Sequence, residues 1–288
     1  MANLKVDSFF DPTSNTYSYL VADAATGEAA IIDPVLDFDP AAGSIGHEPA
    51  ERLIDCVRAR DLRVAWILET HIHADHLSAA AYLRERLGGR LGIGRGVAQV
   101  QQTFGQCFNA ESSFARDGSQ WDALFADGEQ VALGEQRFHI METPGHTPAC
   151  VTYVFDGCAF VGDTIFMPDL GTARCDFPGG DARTLYRSIQ RILALPDATR
   201  LYLCHDYGAS GRRECCNVTS VAHERAANTF VRTGTCEESF VAAREQRDRG
   251  LRVPALLYPA VQFNMRAGAY PPPEDNGESY FKIPLSIG

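Results

Sequence analysis

Three imidazoles and one carboxylate lie within six consecutive residues, His71-Ile72-His73-Ala74-Asp75-His76. Neutral imidazole and carboxylate are the ligands that zinc and non-haem iron prefer in proteins. The apolar run 65–69 before them predicts a buried strand, and the stretch 77–87 after them, which ends at two glycines, predicts a helix. A strand, a short histidine-rich loop and a helix would hold metal ligands rigidly. We refer to residues 71–76 as the ligand loop.

Three later segments also place a potential ligand at the predicted end of an apolar strand. The residues concerned are His146, Asp163 and His205. A single histidine is most often a surface or core residue, and a single Gly-Asp pair is most often a turn. Four such segments in one chain, each at a strand end, instead predict one shared metal centre.

This ordered ligand set resembles that of the metallo-β-lactamase superfamily, over roughly residues 10–230. The resemblance implies an α/β fold, a four-layer αβ/βα sandwich with metals at one edge of two sheets. In dinuclear members of the superfamily, Asp163 would bridge two metals. The remaining ligands would divide between them as His71, His73 and His146 for one metal, and Asp75, His76 and His205 for the other.

Two reactions of this superfamily fit the ligand set. A glyoxalase II-like enzyme would use two metals to hydrolyse a glutathione thioester. A persulfide dioxygenase would hold one Fe(II) per chain on His71, His146 and Asp163, a 2-His-1-carboxylate triad with positions left open for a thiol-derived ligand and O₂. Persulfide dioxygenases of the superfamily retain the residues of the second site without filling it, so the ligand set alone does not separate the two reactions. Those second-site residues are His73, Asp75, His76 and His205.

The sequence around the ligands favours the dioxygenase. The segments 162–177 and 204–207 resemble those of persulfide dioxygenases, and 208–214, 254–268 and 280–285 resemble the bacterial type II enzymes, related to the ethylmalonic encephalopathy protein family. The resemblance then covers nearly the whole chain and implies oxidation of glutathione persulfide with O₂ to sulfite and glutathione. On this interpretation the four second-site residues orient the iron ligands, with a second bound metal as the alternative. A regulatory protein with a degenerate site is disfavoured because no ligand is missing.

Glutathione carries two carboxylates, whereas the chain has a formal net charge of −11. An acidic protein must concentrate positive charge where it binds such a substrate. We expect substrate contacts from Arg212, Arg213, Asn264 and Arg266. Tyr207 follows His205 closely and is a candidate catalytic residue that would hydrogen-bond the substrate or bound oxygen. Arg174 and Asp176 are expected to form a structural ion pair, with a catalytic role as the alternative.

Composition limits the possible partners and location of the protein. The 288 residues suffice for a catalytic domain over 1–235 and a C-terminal helix and extended tail over 236–288 that pack on the same domain. The negative charge argues against a nucleic-acid surface. The sequence has neither an apolar run of about 18 residues nor an N-terminal secretory signal, so we expect a cytoplasmic protein without a membrane partner. We expect a homodimer with a small-molecule substrate and reduced cysteines.

The glycine-rich segment 92–96 is interpreted as an ordinary turn.

Overall fold

The computed structural model describes residues 3–209 and 214–285. Within these ranges the chain forms fifteen strands and seven helices. The strands are β1 (Leu4–Asp11), β2 (Thr16–Asp23), β3 (Glu28–Ile32), β4 (Val35–Asp39), β5 (Ser44–Gly46), β6 (Arg63–Leu68), β7 (Leu77–Ser78), β8 (Arg90–Gly94), β9 (Ala123–Phe125), β10 (Gln130–Leu133), β11 (Gln136–Glu142), β12 (Val151–Phe155), β13 (Cys158–Phe160), β14 (Arg200–Tyr202) and β15 (Val218–Ser220). The helices are α1 (Glu48–Ala59), α2 (Ala80–Leu87), α3 (Val97–Cys107), α4 (Ala182–Leu193), α5 (Val221–Ala227), α6 (Glu237–Asp248) and α7 (Leu257–Asn264).

Two six-stranded sheets form the centre of the fold. The first has the strand order β1-β2-β3-β6-β8-β9 and the second the order β10-β11-β12-β13-β14-β15. In the first sheet, antiparallel hairpins at one side are followed by three parallel pairs, β3 with β6, β6 with β8 and β8 with β9. In the second sheet, β13 and β14 are parallel, and the other neighbouring strands are antiparallel. The small strands β5, β4 and β7 form a third, three-stranded sheet.

Side chains of the two large sheets alternate between two cores. On β2, Tyr17, Tyr19 and Val21 pack into the core between the sheets, whereas Leu20 and Ala22 pack on the opposite face. This alternation follows from the two-residue period of a strand. Strands buried on both faces need helices outside each sheet, which gives four layers in the order helix, sheet, sheet, helix.

The helices cover the outer faces through apolar stripes at helical spacing. Helix α1 buries Leu53, Ile54 and Val57 against the first sheet, and α4 buries Leu185 and Ile189 against the second. Helix α6 packs on α4, while α7 packs against β7 and α3, so the C-terminal region contacts both halves of the sandwich. These contacts confirm the predicted four-layer αβ/βα architecture. Among the described residues, no helix has the length and apolar character needed to cross a membrane.

The structure corrects two local predictions. The predicted helix 77–87 begins with the short strand β7, which pairs with β4, and becomes helical only at α2. Gly92 and Gly94 lie inside β8 rather than in a turn. A Cβ at Gly92 would lie 2.5 Å from the Phe125 ring, and one at Gly94 would lie 2.5 Å from the carbonyl oxygen of Ala149. These glycines are therefore explained by close packing of the strand.

Candidate metal centre

The predicted ligands meet at one edge of the two sheets. The ligand loop follows β6, and His146 lies in the connection between β11 and β12. Asp163 follows β13, and His205 follows β14. Each ligand is thus carried by a short connection that begins at the end of a buried strand, which explains how residues far apart in sequence reach one place.

The triad His71, His146 and Asp163 forms one compact group. Nε2 of His71 lies 3.6 Å and Nε2 of His146 lies 3.7 Å from Oδ2 of Asp163. Atoms that each bind one ion at about 2.1 Å lie about 3–3.5 Å apart, close to these separations. All three residues are buried, and their ligand atoms lie within 4.8 Å of one another. The group therefore has the donor set and the spacing of a 2-His-1-carboxylate metal site.

Hydrogen bonds to the outer ring nitrogens aim both triad imidazoles at the centre. Nδ1 of His146 donates to the carbonyl oxygen of Arg174 at 2.8 Å. Nδ1 of His71 lies 3.0 Å from Oγ1 of Thr70, whose hydroxyl donates to Oδ2 of Asp33 at 2.9 Å. With the outer nitrogen engaged, Nε2 of each ring is left facing the triad.

The second predicted set lies beside the triad. Ligand atoms of His73, Asp75 and His76 lie within 4.8 Å of one another. Nε2 of His205 lies 3.3 Å from Oδ1 of Asp163 and 3.4 Å from Oδ2 of Asp75. Asp163 thus presents one oxygen to each group, as the bridging position of a dinuclear site requires.

Two carboxylates that the sequence analysis missed hold His73 from behind. Nε2 of His73 lies 3.1 Å from Oδ1 of Asp33 and 3.2 Å from Oε2 of Glu69, and the hydroxyl of Ser78 donates to Glu69. Although burial alone would lower it, the pKa of His73 is raised well above its usual value by these carboxylates. Asp33 and Glu69 directly follow the apolar strands β3 and β6. This position at a strand end could have indicated from the sequence that both residues lie at the metal centre.

The buried polar atoms at this edge fit a bound metal. Six atoms of the predicted ligands have no hydrogen-bond partner among the described residues: Nε2 of His71, Nδ1 of His73, Oδ2 of Asp75, Nε2 of His76, Oδ1 of Asp163 and Nε2 of His205. Isolated buried polar atoms are costly, and a converging set of nitrogen and oxygen donors is satisfied by a cation. Burial lowers the pKa of His76 to about 4 and, with neighbouring imidazoles, that of His71 well below its usual value, so both offer lone pairs at neutral pH.

A cavity of about 610 Å³ opens onto this metal centre. Asp75, His146 and Asp163 form part of its wall. The Tyr207 ring stacks on His205 with 5.3 Å between centroids and is 53% exposed, so the predicted catalytic residue lies at the cavity beside the cluster. Most other lining residues are apolar, and they include Phe38, Pro40, Phe166, Leu170, Leu251, Pro254, Ala255 and Leu256.

Residues 11–205 match the sequence model of the metallo-beta-lactamase superfamily. The chain belongs to this superfamily. A solved structure supports the assignment: the crystal structure of ETHE1 from Myxococcus xanthus is 32% identical, with a TM-score of 0.73, and the match covers 92% of this chain and 100% of that one.

Superfamily relatives carry names from both branches considered above. A probable metallo-hydrolase of Burkholderia pseudomallei is 55% identical over 98% of this chain and 99% of the relative, and glyoxylase B2 of Dictyostelium discoideum is 44% identical over 98% and 97%. The mitochondrial persulfide dioxygenase ETHE1 of Bos taurus is 34% identical over 92% of this chain and 89% of the relative. These names establish the superfamily but not a single reaction.

Asn264, a predicted substrate contact, does not line the cavity. Asn264 is buried beneath the ligand loop, where its side chain hydrogen-bonds backbone groups of His73, His76 and Ser78. Asn264 therefore holds the ligand loop in this structure, and its contact with substrate stays a prediction.

Arg266 is also placed away from the cavity. Its guanidinium donates to both carboxylate oxygens of Glu111, at 2.7 and 3.0 Å, and lies over the Phe114 ring. Because Arg266 is engaged with Glu111 and does not line the cavity, this placement does not support the predicted clamp on a substrate carboxylate. Arg212 and Arg213 lie outside the described residues.

Arg174 and Asp176 form the expected ion pair. The Arg174 guanidinium donates to both oxygens of Asp176, at 2.5 and 2.6 Å, and to the carbonyl oxygen of Arg252 at 2.7 Å. Two buried residues of α6 also contact this segment. Arg244 donates a hydrogen bond to the carbonyl of Thr172, and Asp248 accepts one from the amide of Cys175. This pair stabilises the connection whose backbone carbonyl orients His146.

Proposed function

We propose that this protein is a persulfide dioxygenase that oxidises glutathione persulfide with O₂ and water to sulfite and glutathione, using one Fe(II) per chain held by His71, His146 and Asp163. The observation that carries the proposal is a 2-His-1-carboxylate triad at the wall of a cavity of about 610 Å³. Small-molecule sites commonly occupy about 300–1,000 Å³, so a tripeptide persulfide is of suitable size. The similarity to persulfide dioxygenase ETHE1 over 92% of the chain adds support.

Bound Fe(II) would supply coordination positions for the persulfide sulfur and for O₂. The protein's own residues would position these reactants. His146 is held by the backbone of Arg174, and Asp163 and His146, which line the cavity, would hold the metal there. The apolar wall would exclude bulk water from the sulfur, and Tyr207, whose ring stacks on His205, would hydrogen-bond a bound group.

A dinuclear hydrolase of glutathione thioesters is the second candidate. It is favoured by a specific observation: the ligand atoms of His73, Asp75, His76 and His205 are buried, converge and lack hydrogen-bond partners among the described residues. Relatives more similar than ETHE1 carry the names metallo-hydrolase and glyoxylase. Two metal ions bridged by Asp163 would generate a hydroxide nucleophile for this reaction.

The two candidates differ in metal content and in the bond broken. We would purify the protein anaerobically, measure iron, zinc and manganese per chain, and test two substrates in parallel. For a dioxygenase we expect one iron per chain and O₂ uptake that matches sulfite formation from glutathione persulfide. Two metals per chain, with loss of the thioester of S-lactoylglutathione and no O₂ uptake, would establish the hydrolase instead.

A pair of variants sharpens the test. His71→Ala removes a triad ligand and should abolish iron binding and O₂ uptake. His76→Ala removes only a second-site ligand and should leave one iron per chain, with turnover changed by about 10- to 100-fold at most, as for residues that support a metal ligand. Equal loss of metal and activity in both variants would contradict a mononuclear site.

A homodimer in the cytoplasm remains our expectation for this enzyme. It would act on a small molecule, without a nucleic-acid or membrane partner. Size-exclusion chromatography with light scattering measures the oligomeric state.

A further inference from the structure

The charged residues of the cavity wall differ in whether they already have a partner. Arg174 is paired with Asp176, and buried Arg244 is paired with Asp248 at 2.6 Å. Asp75 and Asp163 belong to the metal centre. Arg247 also lines the cavity and is exposed, and its guanidinium has no hydrogen bond or ion pair with any residue in the described ranges. Of the arginines that line the cavity in the described part of the chain, Arg247 is therefore the one whose charge is available to a ligand.

The position of Arg247 is fixed by its helix. Arg244 and Arg247 are three residues apart on α6, so they share one face, and that face lines the cavity. Buried Arg244 anchors the helix to the carbonyl of Thr172, at 2.9 Å. The segment after the helix is linked to the metal centre through two hydrogen bonds. The carbonyl of Arg252 accepts a hydrogen bond from the Arg174 guanidinium, and the carbonyl of Arg174 accepts one from His146.

The rest of the wall explains why a carboxylate is the group that would bind there. Apolar side chains surround the cavity, and Arg247 adds one cation in a chain whose formal net charge is −11. An arginine in such a setting forms charge-assisted hydrogen bonds with a carboxylate. Arg266, one of the predicted clamps, does not supply this charge, because it pairs with Glu111.

We infer that Arg247 binds a carboxylate of the substrate and makes the site selective for carboxylate-bearing thiol derivatives over uncharged ones. The inference rests on the proposed function for the nature of the reacting group, and names the substrate class of the same site. Arg247 acts in substrate binding, at a distance from the reacting sulfur. Its removal should raise KM and leave kcat nearly unchanged, because the contact is the same before and during reaction.

The test compares Arg247→Gln with Arg249→Gln in the iron-loaded protein. Arg249 is an exposed arginine at the end of the same helix, but it lies over a different cleft, with Asp181 and Glu245. O₂ uptake would be measured with glutathione persulfide and with the persulfide of 2-mercaptoethanol, which has no carboxylate. Isothermal titration calorimetry with glutathione, under anaerobic conditions, measures binding without turnover.

We expect Arg247→Gln to raise KM for glutathione persulfide about tenfold, the effect of losing a charged hydrogen bond, with no change for 2-mercaptoethanol persulfide. Arg247→Lys should recover part of the loss, and 0.5 M salt should reduce the difference between variants. Equal behaviour of the Arg247→Gln and Arg249→Gln proteins, or equal loss on both substrates, would overturn the inference. If wild type shows no O₂ uptake but Arg247→Gln weakens glutathione binding, the dioxygenase proposal fails and this inference stands.

Discussion

Replacing Asn264 by alanine tests whether α7 holds the ligand loop in place. The Asn264 amide donates to the carbonyls of His73 and His76, at 2.9 and 2.8 Å, and its oxygen accepts from the amide of Ser78 at 2.8 Å. The residue is 3% exposed, so water cannot readily replace these bonds. Asn264→Ala therefore removes three buried hydrogen bonds from the segment that carries three potential ligands.

The expected loss is large for one side chain. A buried hydrogen bond contributes about 1 kcal/mol, and an unpaired buried backbone group costs about 1–3 kcal/mol, so the free energy of unfolding should fall by about 3–5 kcal/mol. Residues that support metal ligands commonly change metal affinity by about 10- to 100-fold. We expect a loss in that range, because the backbone of His73 and His76 is no longer fixed.

Gln262 provides a matched control on the same helix. Its side chain also makes three hydrogen bonds, at 2.8 to 2.9 Å, to the carbonyl of Tyr258 and to the backbone of Lys282, none of them to the ligand loop. Urea unfolding of metal-free protein and competition with a chelator would be measured for both variants. Both should be less stable, but only Asn264→Ala should bind metal more weakly. Unchanged metal affinity in Asn264→Ala, or an equal loss in Gln262→Ala, would refute the positioning role.

Three further predictions concern other parts of the structure. Burial raises the pKa of Glu224 from 4.5 to about 7, so the folded state holds this proton more tightly and the associated stability is lost as pH rises from 4.5 through 7. Relative to Glu224→Gln, wild type should lose about 2–3 kcal/mol between pH 5 and pH 8 in urea unfolding, and a pH-independent difference would contradict this. Gly145 has φ +136°, and a Cβ there would lie 2.3 Å from the backbone nitrogen of Leu185. Gly145→Ala should therefore lower the free energy of unfolding by more than about 2 kcal/mol and weaken metal binding at His146. Gly128→Ala, with open space around it, should lower the free energy of unfolding by about 1 kcal/mol. Equal losses in the two variants would contradict this prediction. Arg174→Met should keep full iron and O₂ turnover within about threefold, since its ion pair is partly exposed and only its carbonyl touches His146. A hundredfold loss at full iron content would show a catalytic role.

Local patterns were sufficient for the metal ligands and for most strands and helices. His71, His146, Asp163 and His205 each follow a predicted apolar strand, and strand ends on one edge meet whatever their separation in sequence. Strand and helix periods also indicate which faces are buried, whereas the four layers were implied by the resemblance to the superfamily. Helix α7 was not predicted, because Pro259 lies within it and proline usually indicates the end of a helix. In α7 this proline lies in the first helical turn, where proline is tolerated.

Contacts between distant segments explain the rest. The pairing of His73 with Asp33, the support of the ligand loop by Asn264, and the engagement of Arg266 with Glu111 each join residues that no local pattern connects. The sequence also does not distinguish Arg247 from other exposed arginines. Its place in the cavity wall depends on how α6 packs. The sequence by itself determined the superfamily and the metal-binding residues, because each ligand directly follows or lies close behind an apolar strand, and that pattern depends only on neighbouring residues. Only the tertiary structure decided which polar residues support the ligands and which arginine lines the cavity without a side-chain partner among the described residues, because burial and pairing depend on what packs against each side chain.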